Sequence, residues 1–97
     1  MPDEKLARAL SSRVRRDIIH ILLKKEMSVH KIADHMDLSE VNASKHLKKL
    51  YDLGLLNAKV GGREKYYSIK IIEIKNLIKE YDKVAKKLGI NNEGKKQ

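Results

Sequence analysis

The chain has 97 residues, of which 22 are Lys or Arg and 13 are Asp or Glu, so its formal net charge is +9. That length allows one hydrophobic core and argues against an enzyme with a deep cleft, and the absence of cysteine excludes disulfides, thiolate metal sites and thiol redox switches. The excess of positive charge favours a polyanionic partner, because each phosphate neutralised by a basic side chain releases condensed counterions.

Two amphipathic segments open the chain. Residues 3–10 place Leu6 and Leu10 on one helical face. Ser11-Ser12 then supplies an N-cap for a second helix, which we expect to run to about Lys25. The apolar positions of the second helix follow the 3.6-residue period: Val14, Ile18, Ile21 and Leu22. The pattern therefore predicts a pair of short helices at the N-terminus.

Basic side chains crowd the first turns of the second predicted helix. Arg13, Arg15 and Arg16 stand where cations oppose the helix dipole, which reduces helix stability. Two explanations account equally well for this arrangement: the arginines face phosphate, or they lie on a solvated face of the helix. Arg15 and Arg16 are therefore candidate phosphate contacts.

The next two predicted helices stand close together. Ser28 caps the first of them, and Ser39 caps the second, which Gly54 ends in a left-handed conformation. Apolar side chains define the inward faces of the two helices: Val29, Ile32, Ala33 and Met36 in the first, and Ala43, Leu47 and Leu50 in the second. Asp37, which adopts the left-handed conformation at modest cost, stands between them. Two short helices around a tight turn predict a helix-turn-helix.

A two-stranded hairpin is predicted after the helix-turn-helix. Gly61-Gly62 is the turn, and the flanking strands alternate in polarity, with Leu56, Ala58 and Val60 before the turn and Lys65, Tyr67 and Ile69 after it. A hairpin of this size is marginally stable alone, so we expect it to rest on the helices.

The last predicted helix spans about residues 71–88 and carries an apolar seam. Its positions are spaced alternately by three and four: Ile71, Ile74, Ile78, Tyr81, Ala85 and Leu88. The seam could pack within the domain, but Leu77 and Val84 widen it beyond what a small domain needs to cover. We therefore predict a dimer interface made of this seam, together with Leu6 and Leu10 of the first helix.

These elements predict a mainly α fold with a small β-hairpin, a winged helix-turn-helix of about five helices plus a two-stranded wing. We expect one domain over residues 1–88, including the dimerisation helix, and a disordered tail over residues 89–97, which are rich in Asn, Gly and Lys.

Four motifs stand in order along the chain. They are Ala9-Leu10-Ser11-Ser12 with Arg15-Arg16 and Ile18-Ile19, then Leu38-Ser39 with residues 44–50, then Gly54-Leu55-Leu56, and last Gly62-Arg63 with residues 66–69. Together they resemble the ArsR family of winged helix-turn-helix repressors over about residues 6–69. The resemblance implies a homodimer, built from the first and last helices, that binds a palindromic operator and represses transcription.

The chain departs from the family pattern at its metal-binding positions. Ser28 and His30 stand where metal-sensing members carry a pair of cysteines, and the helix after Ile71 has no histidine for the zinc site that other members build between C-terminal helices. Soft ions such as arsenite select thiolates, which this chain lacks. His30 and His35 are five residues apart, unlike the i, i+4 pair that places two zinc ligands on one helix face. We therefore expect no metal site and no cofactor.

The second helix of a helix-turn-helix places its N-terminal residues against base edges in the major groove. Asn42 suits adenine, Lys45 suits guanine, and Val41 suits a thymine methyl group. Glu40 either accepts from cytosine or caps the helix and lowers non-specific affinity. His46 either contacts phosphate or packs under the wing. The remaining candidate DNA contacts are basic or hydroxyl side chains: Ser39, Ser44, Lys48 and Lys49 on the helix, and Arg63 and Lys65 on the wing.

The most favoured partner is thus double-stranded DNA, read by a homodimer whose effector is unknown. A small architectural protein without sequence preference, or a winged helix that binds other proteins, remains possible. An enzyme is disfavoured because no nucleophile, base and orienting group recur at plausible spacings. No N-terminal stretch resembles a signal peptide and no apolar run is long enough to span a bilayer, so we expect no membrane partner and a cytoplasmic location.

Overall fold

The computed structural model describes residues 2–89. Five helices and three strands follow one another in the order α1 (Pro2–Leu10), α2 (Arg13–Lys24), β1 (Met27–Ser28), α3 (Val29–Met36), α4 (Glu40–Leu53), β2 (Leu56–Gly61), β3 (Glu64–Ile69) and α5 (Ile74–Lys87). The predicted fold class is confirmed: α3 and α4 form the helix-turn-helix, and β2 and β3 form the wing. The tail predicted to be disordered lies, apart from Gly89, outside the described residues. Within residues 2–89 no helix is long and apolar enough to cross a membrane.

Three serines begin helices, as their positions predicted. The hydroxyl of Ser12 accepts from the backbone N–H of Arg15, Ser28 does the same for Lys31, and Ser39 for Asn42. Each serine satisfies one of the donors that a helix N-terminus leaves free. The start of each of these helices is therefore set locally by the sequence.

Two left-handed residues end α3 and α4. Asp37 has φ 57° and ψ 46°, and Gly54 has φ 103°, and their backbone N–H groups bond back to carbonyls of the preceding turn. The predicted caps are confirmed at both positions. Asp37 fixes the turn between α3 and α4, and Gly54 redirects the chain from α4 into the wing.

The wing belongs to a three-stranded antiparallel sheet in the order β1-β3-β2. β2 and β3 pair from Leu56 opposite Ile69 to Gly61 opposite Glu64. The two-residue strand β1 was not predicted, because two residues are too short to show alternation. It adds Met27 opposite Tyr67 on the far side of β3.

The core lies where α2, α4 and the sheet meet, and α5 covers one side of it. The largest side chains that are fully buried share this region: Ile18, Ile19, Ile32, Leu47, Leu50, Leu56 and Ile78. Of the two wing tyrosines, Tyr67 is buried and its ring meets the ring of Tyr51 edge-on at 6.3 Å, while Tyr66 is half-buried. The helical period predicted Ile18, Ile32, Leu47 and Leu50 among the fully buried side chains, whereas Ile19 was not predicted and Ile78 was assigned to a dimer seam.

The structure corrects the prediction of the dimer seam. Four of its residues, Leu10, Ile74, Ile78 and Ala85, are buried in the core of a single chain, so they are not available to a partner. The reason is that α5 returns across α2 and turns this face inward.

A different face of α5 is exposed. Leu77 and Val84, which widened the predicted seam, are exposed with Tyr81 and Leu88, and Ile71 and Ile72 are exposed in the segment before the helix. Leu6 of α1 is half-buried. We call Leu77, Tyr81, Val84 and Leu88 the outer face of α5.

Candidate nucleic-acid interface

The exposed face of α4 is the first component of the site. Its inward face, Ala43, Leu47 and Leu50, is completely buried, so the rest of the helix projects outward. The exposed side chains include most of the predicted base and phosphate contacts: Ser39, Glu40, Val41, Asn42, Ser44, Lys45, Lys48 and Lys49. Val41 is 65% exposed, although it is apolar and lies in the first turn. An apolar side chain exposed there is accessible to a binding partner.

The wing tip is the second component. Gly62 has φ 64° in the turn between β2 and β3, a conformation that L side chains rarely adopt, and it places Arg63 at the tip. Arg63 and Lys65 are exposed, and both border an open groove that is also lined by His30, Glu40 and Ser44. The wing and the first turn of α4 therefore form one continuous surface.

An ion pair joins the two helices of the helix-turn-helix. The Nδ1 atom of His30 lies 2.8 Å from a carboxylate oxygen of Glu40. This hydrogen bond and the charge of Glu40 raise the pKa of His30 above its ordinary value of 6.5, with smaller contributions from Asp34 and Glu64. No sequence pattern predicted this pair, because the two residues are ten positions apart in different helices.

A second surface pair lies farther along α4. Lys48 donates to Asp52 one turn away at 2.9 Å, and this bond raises the pKa of Lys48. Both side chains are more than half exposed. An exposed pair of this kind adds little stability, so Lys48 stays free to exchange its partner for a phosphate.

Arg15 does not lie on this surface. It is only 8% exposed, and its guanidinium donates to the carbonyls of Ala9 at 2.9 Å and Arg8 at 3.1 Å. Its Nη1 also donates to Nδ1 of His46 at 3.2 Å. Burial and these bonds separate Arg15 from the exposed surface of α4 and the wing, and they give it the role of joining α1, α2 and α4.

His46 faces α2 and not the underside of the wing. Burial lowers the pKa of His46 below its ordinary value, and the charges of Arg15 and Lys49 lower it further. The imidazole is thus neutral at pH 7, with Nδ1 as the acceptor from Arg15. We withdraw His46 as a phosphate contact, because its half-buried ring already bonds to a buried cation.

Arg16 is also directed away from α4. Its guanidinium donates to the carbonyl of Leu10 at 2.6 Å and lies over the ring of Tyr81, 4.5 Å from its centroid. Arg16 therefore connects α1 and α2 to α5, and we no longer assign it to phosphate.

The two positions that match the cysteine pair of metal-sensing family members have other partners. Ser28 is buried as the N-cap of α3, and His30 bonds to Glu40. In the part of the chain that the structure describes, no group of three or more His, Asp or Glu side chains could hold a metal ion.

Comparisons with known proteins place this arrangement in a family. Residues 12–58 match the family described as "Bacterial regulatory protein, arsR family". The transcriptional activator HlyU of Vibrio cholerae serotype O1 is 30% identical over 73 residues, which are 75% of this chain and 68% of that protein. The chain belongs to the arsR family of bacterial regulatory proteins. The resemblance seen in the sequence is therefore confirmed.

Two further relatives show how much of a family member this chain covers and which fold it shares. The cadmium resistance transcriptional regulatory protein CadC of Listeria innocua is 39% identical over 70 residues, and the match spans 71% of this chain but only 59% of the length of CadC. A solution structure described as the homodimeric winged helix-turn-helix DNA-binding domain of a possible ArsR-family regulator from Mycobacterium bovis is 27% identical. Its TM-score is 0.78, with 88% of this arsR-family chain and 79% of the other covered. The fold of residues 2–89 is thus the fold of this family's DNA-binding domain.

Proposed function

We propose that this arsR-family protein is a sequence-specific, double-stranded DNA-binding transcriptional regulator that acts as a homodimer in the cytoplasm. The observation that carries the proposal is the continuous exposed surface of α4 and the wing, which presents Asn42, Lys45 and Arg63 beside an exposed Val41. Winged helices bind DNA when such a helix enters the major groove. The family's described role is regulation, and we propose no catalytic activity.

Three side chains in the first turns of α4 are proposed to contact bases. Asn42 presents a donor and an acceptor that match adenine, Lys45 donates to guanine, and Val41 contacts a thymine methyl group. Ser39 and the free N–H groups of the first turn suit a phosphate, and Ser44 suits another. Glu40 is the only acidic group on α4 beside them, and its bond to His30 lowers its effective charge when His30 is protonated.

The wing is proposed to contact the neighbouring minor groove. Arg63 at the tip is the residue type that a narrow minor groove attracts, because the potential is most negative there. Lys65 beside it, and Lys48 and Lys49 on α4, would neutralise phosphates without reading sequence.

The outer face of α5 is the proposed dimer interface. Three large apolar side chains are exposed on this helix and Leu88 is exposed at its C-cap, so a monomer would leave much apolar surface in water. The relative from Mycobacterium bovis is described as homodimeric. A two-fold dimer would present two α4 helices to half-sites about 34 Å apart, or a multiple of that, and hence to a palindrome. We propose repression as the outcome, since a dimer occupying a promoter blocks it without any further contact.

Replacing a base-contacting residue should weaken specific binding selectively. Asn42→Ala and Lys45→Ala should each lose about 1–3 kcal/mol on the preferred site, while non-specific binding stays close to wild type. Arg63→Ala should weaken both, because its contact is largely electrostatic. Fluorescence anisotropy with the preferred site and a scrambled duplex measures the difference.

The DNA sequence that the protein prefers can be identified by selecting bound duplexes from a random pool. An enriched two-fold-related motif is the expected result. Selection that enriched no motif, with binding still strong and salt-dependent, would favour the architectural protein. Absence of any binding at low salt would favour a protein-interaction module.

DNA affinity should fall as pH rises through the pKa of His30. Protonated His30 neutralises Glu40, so deprotonation leaves a carboxylate facing phosphate. Because Glu40 raises the pKa of His30, the pair's contribution to stability is complete below 6.5 and is lost as pH rises through the raised pKa. Binding assays between about pH 6 and pH 8 at constant ionic strength measure the effect.

Two variants isolate this pair. His30→Gln should flatten the pH profile at low affinity, whereas Glu40→Gln should move it to lower pH, because the carboxylate that raises the pKa of His30 is gone. His46 should titrate at lower pH than His30, since burial lowers its pKa and Glu40 raises that of His30. An undiminished pH dependence in His30→Gln would assign the effect to another group.

Arsenite, cadmium and zinc should not release the protein from its DNA. An effector acts only if it binds the free and DNA-bound states differently, and this chain has no cysteine to supply such binding. The measurement is titration of the complex with micromolar amounts of each ion in a non-chelating buffer. Saturable release that disappears in the double variant His30→Ala, His35→Ala would instead reveal a histidine site.

A further inference from the structure

A recess of about 240 Å³ lies between α1 and α4. Buried Ala9 and half-buried Leu53 contribute apolar surface to it. The other side chains that line it are Lys5, Arg8, Arg15, Lys49 and Asp52. We call this feature the α1–α4 recess. It lies on the side of α4 that faces α1, whereas Glu40 and Ser44 face the wing groove.

The charge around the recess is strongly positive. Four of its lining residues are cations and one is an acid, and the carboxylate of Asp52 already accepts from Lys48 at 2.9 Å. Within residues 2–89 no carboxylate lies at ion-pair distance from Lys5, Arg8, Arg15 or Lys49. These cations repel one another, so their concentration in one recess favours binding of an anion.

Arg15 forms the buried side of this cluster. A guanidinium has five N–H donors, and the bonds of Arg15 to Ala9, Arg8 and His46 engage three of them. Its partners are two carbonyls and a neutral imidazole, so its charge is met by dipoles and not by an anion. A buried charge without a counterion is costly, and the remaining donors can serve a ligand.

The cations of the recess also act on His46. After burial, the charges of Arg15 and Lys49 are the causes that lower its pKa. The imidazole beside the recess therefore stays neutral, and it accepts a hydrogen bond from Arg15 without adding a fifth cation.

We infer that the α1–α4 recess binds an oxyanion, the phosphate or carboxylate group of a compact molecule, through Arg8, Arg15 and Lys49. The recess is smaller than the roughly 300–1,000 Å³ of drug-sized ligand pockets, and its apolar surface leaves room for a short hydrocarbon part. An occupant would link α1 to α4, the helix proposed to read DNA. The inference goes beyond the proposed function, and binding measured without DNA tests it separately.

The first arm of the test uses inorganic phosphate and the full chain labelled with ¹⁵N. We expect millimolar phosphate, added against chloride at constant ionic strength, to shift the Arg15 Nε–H and His46 resonances saturably. The double variant Arg8→Gln, Lys49→Gln should lose the response, with at least a tenfold weaker apparent affinity. Lys79→Gln, which removes a lysine of α5 that borders a different groove, should keep it.

The second arm asks whether the oxyanion is instead a phosphate of the DNA backbone. In that case duplex DNA shifts the same resonances, and Arg8→Gln and Lys49→Gln each reduce the slope of log affinity against log salt by about one. A response to free phosphate with an unchanged salt slope identifies a small-molecule site. The inference is overturned if neither phosphate nor duplex DNA perturbs Arg15 and His46, or if the double variant responds as wild type does.

Discussion

Ile78→Asp should abolish folding. Ile78 is 1% exposed and packs in the core shared by α2, α5 and the sheet. The substitution removes about 1.5–3 kcal/mol of apolar burial and places an unpaired carboxylate in the core, which adds several kcal/mol. The total stability of a domain is only about 5–15 kcal/mol. We expect a far-UV circular dichroism spectrum without helical minima and no cooperative thermal transition.

Val84→Asp provides the matched comparison on the same helix. Val84 is 55% exposed on the outer face of α5, so the aspartate meets water in a single chain. The variant should keep the wild-type spectrum but halve the mass measured by light scattering, because the charge disrupts the proposed dimer. A folded variant with the wild-type dimer mass would show that the interface lies elsewhere. A folded Ile78→Asp variant would contradict the position of α5.

Arg15→Ala should destabilise the protein by about 3–5 kcal/mol. It removes three charge-assisted hydrogen bonds, each worth about 1.5–3 kcal/mol although not additive, and it leaves the carbonyl of Ala9 without its donor. Chemical denaturation followed by circular dichroism measures the loss. The pKa of His46 should also rise in the variant, because one of the charges that lower it is gone.

Arg13→Ala is the control for this prediction. Arg13 lies in the first turn of the same helix, but its guanidinium is about half exposed and its Nε lies 4.0 Å from Asp17. Exposed pairs of this kind contribute about 0–1 kcal/mol. Equal losses in the two variants would mean that the helix start, and not the bonds to α1 and α4, determines the stability.

Local chemistry made most of the fold predictable. A serine hydroxyl at a helix start and a left-handed Gly54 act within a few residues, so the sequence alone located the starts of α2, α3 and α4 and the end of α4. The helical period of Ala43, Leu47 and Leu50 predicted the buried face of α4, and the exposed face is the opposite one. The predicted base contacts Asn42 and Lys45 lie on this face.

Tertiary packing decided what the sequence left open. The seam of α5 has the same spacing whether it meets the chain's own core or a second copy, and only the path of α5 across α2 separates the two. The sequence likewise did not show where the side chains of Arg15 and Arg16 point, because their partners lie on α1, α4 and α5. The hydrogen bond between His30 and Glu40 joins residues ten positions apart in two helices, and neither helical nor strand periodicity predicts such a contact.

The short strand β1 has a mechanical consequence for DNA binding. Because β1 pairs Met27 and Ser28 with Tyr67 and Tyr66, the wing is fastened to the residue that starts α3. Hinge motion of the wing would break this pairing, so we expect α4 and Arg63 to hold a nearly constant separation. The spacing between α4 and the wing tip would then be fixed, and the DNA duplex would have to deform to fit it. Sites whose grooves already have the matching width, or whose base steps deform easily, will bind better even at positions that no side chain touches.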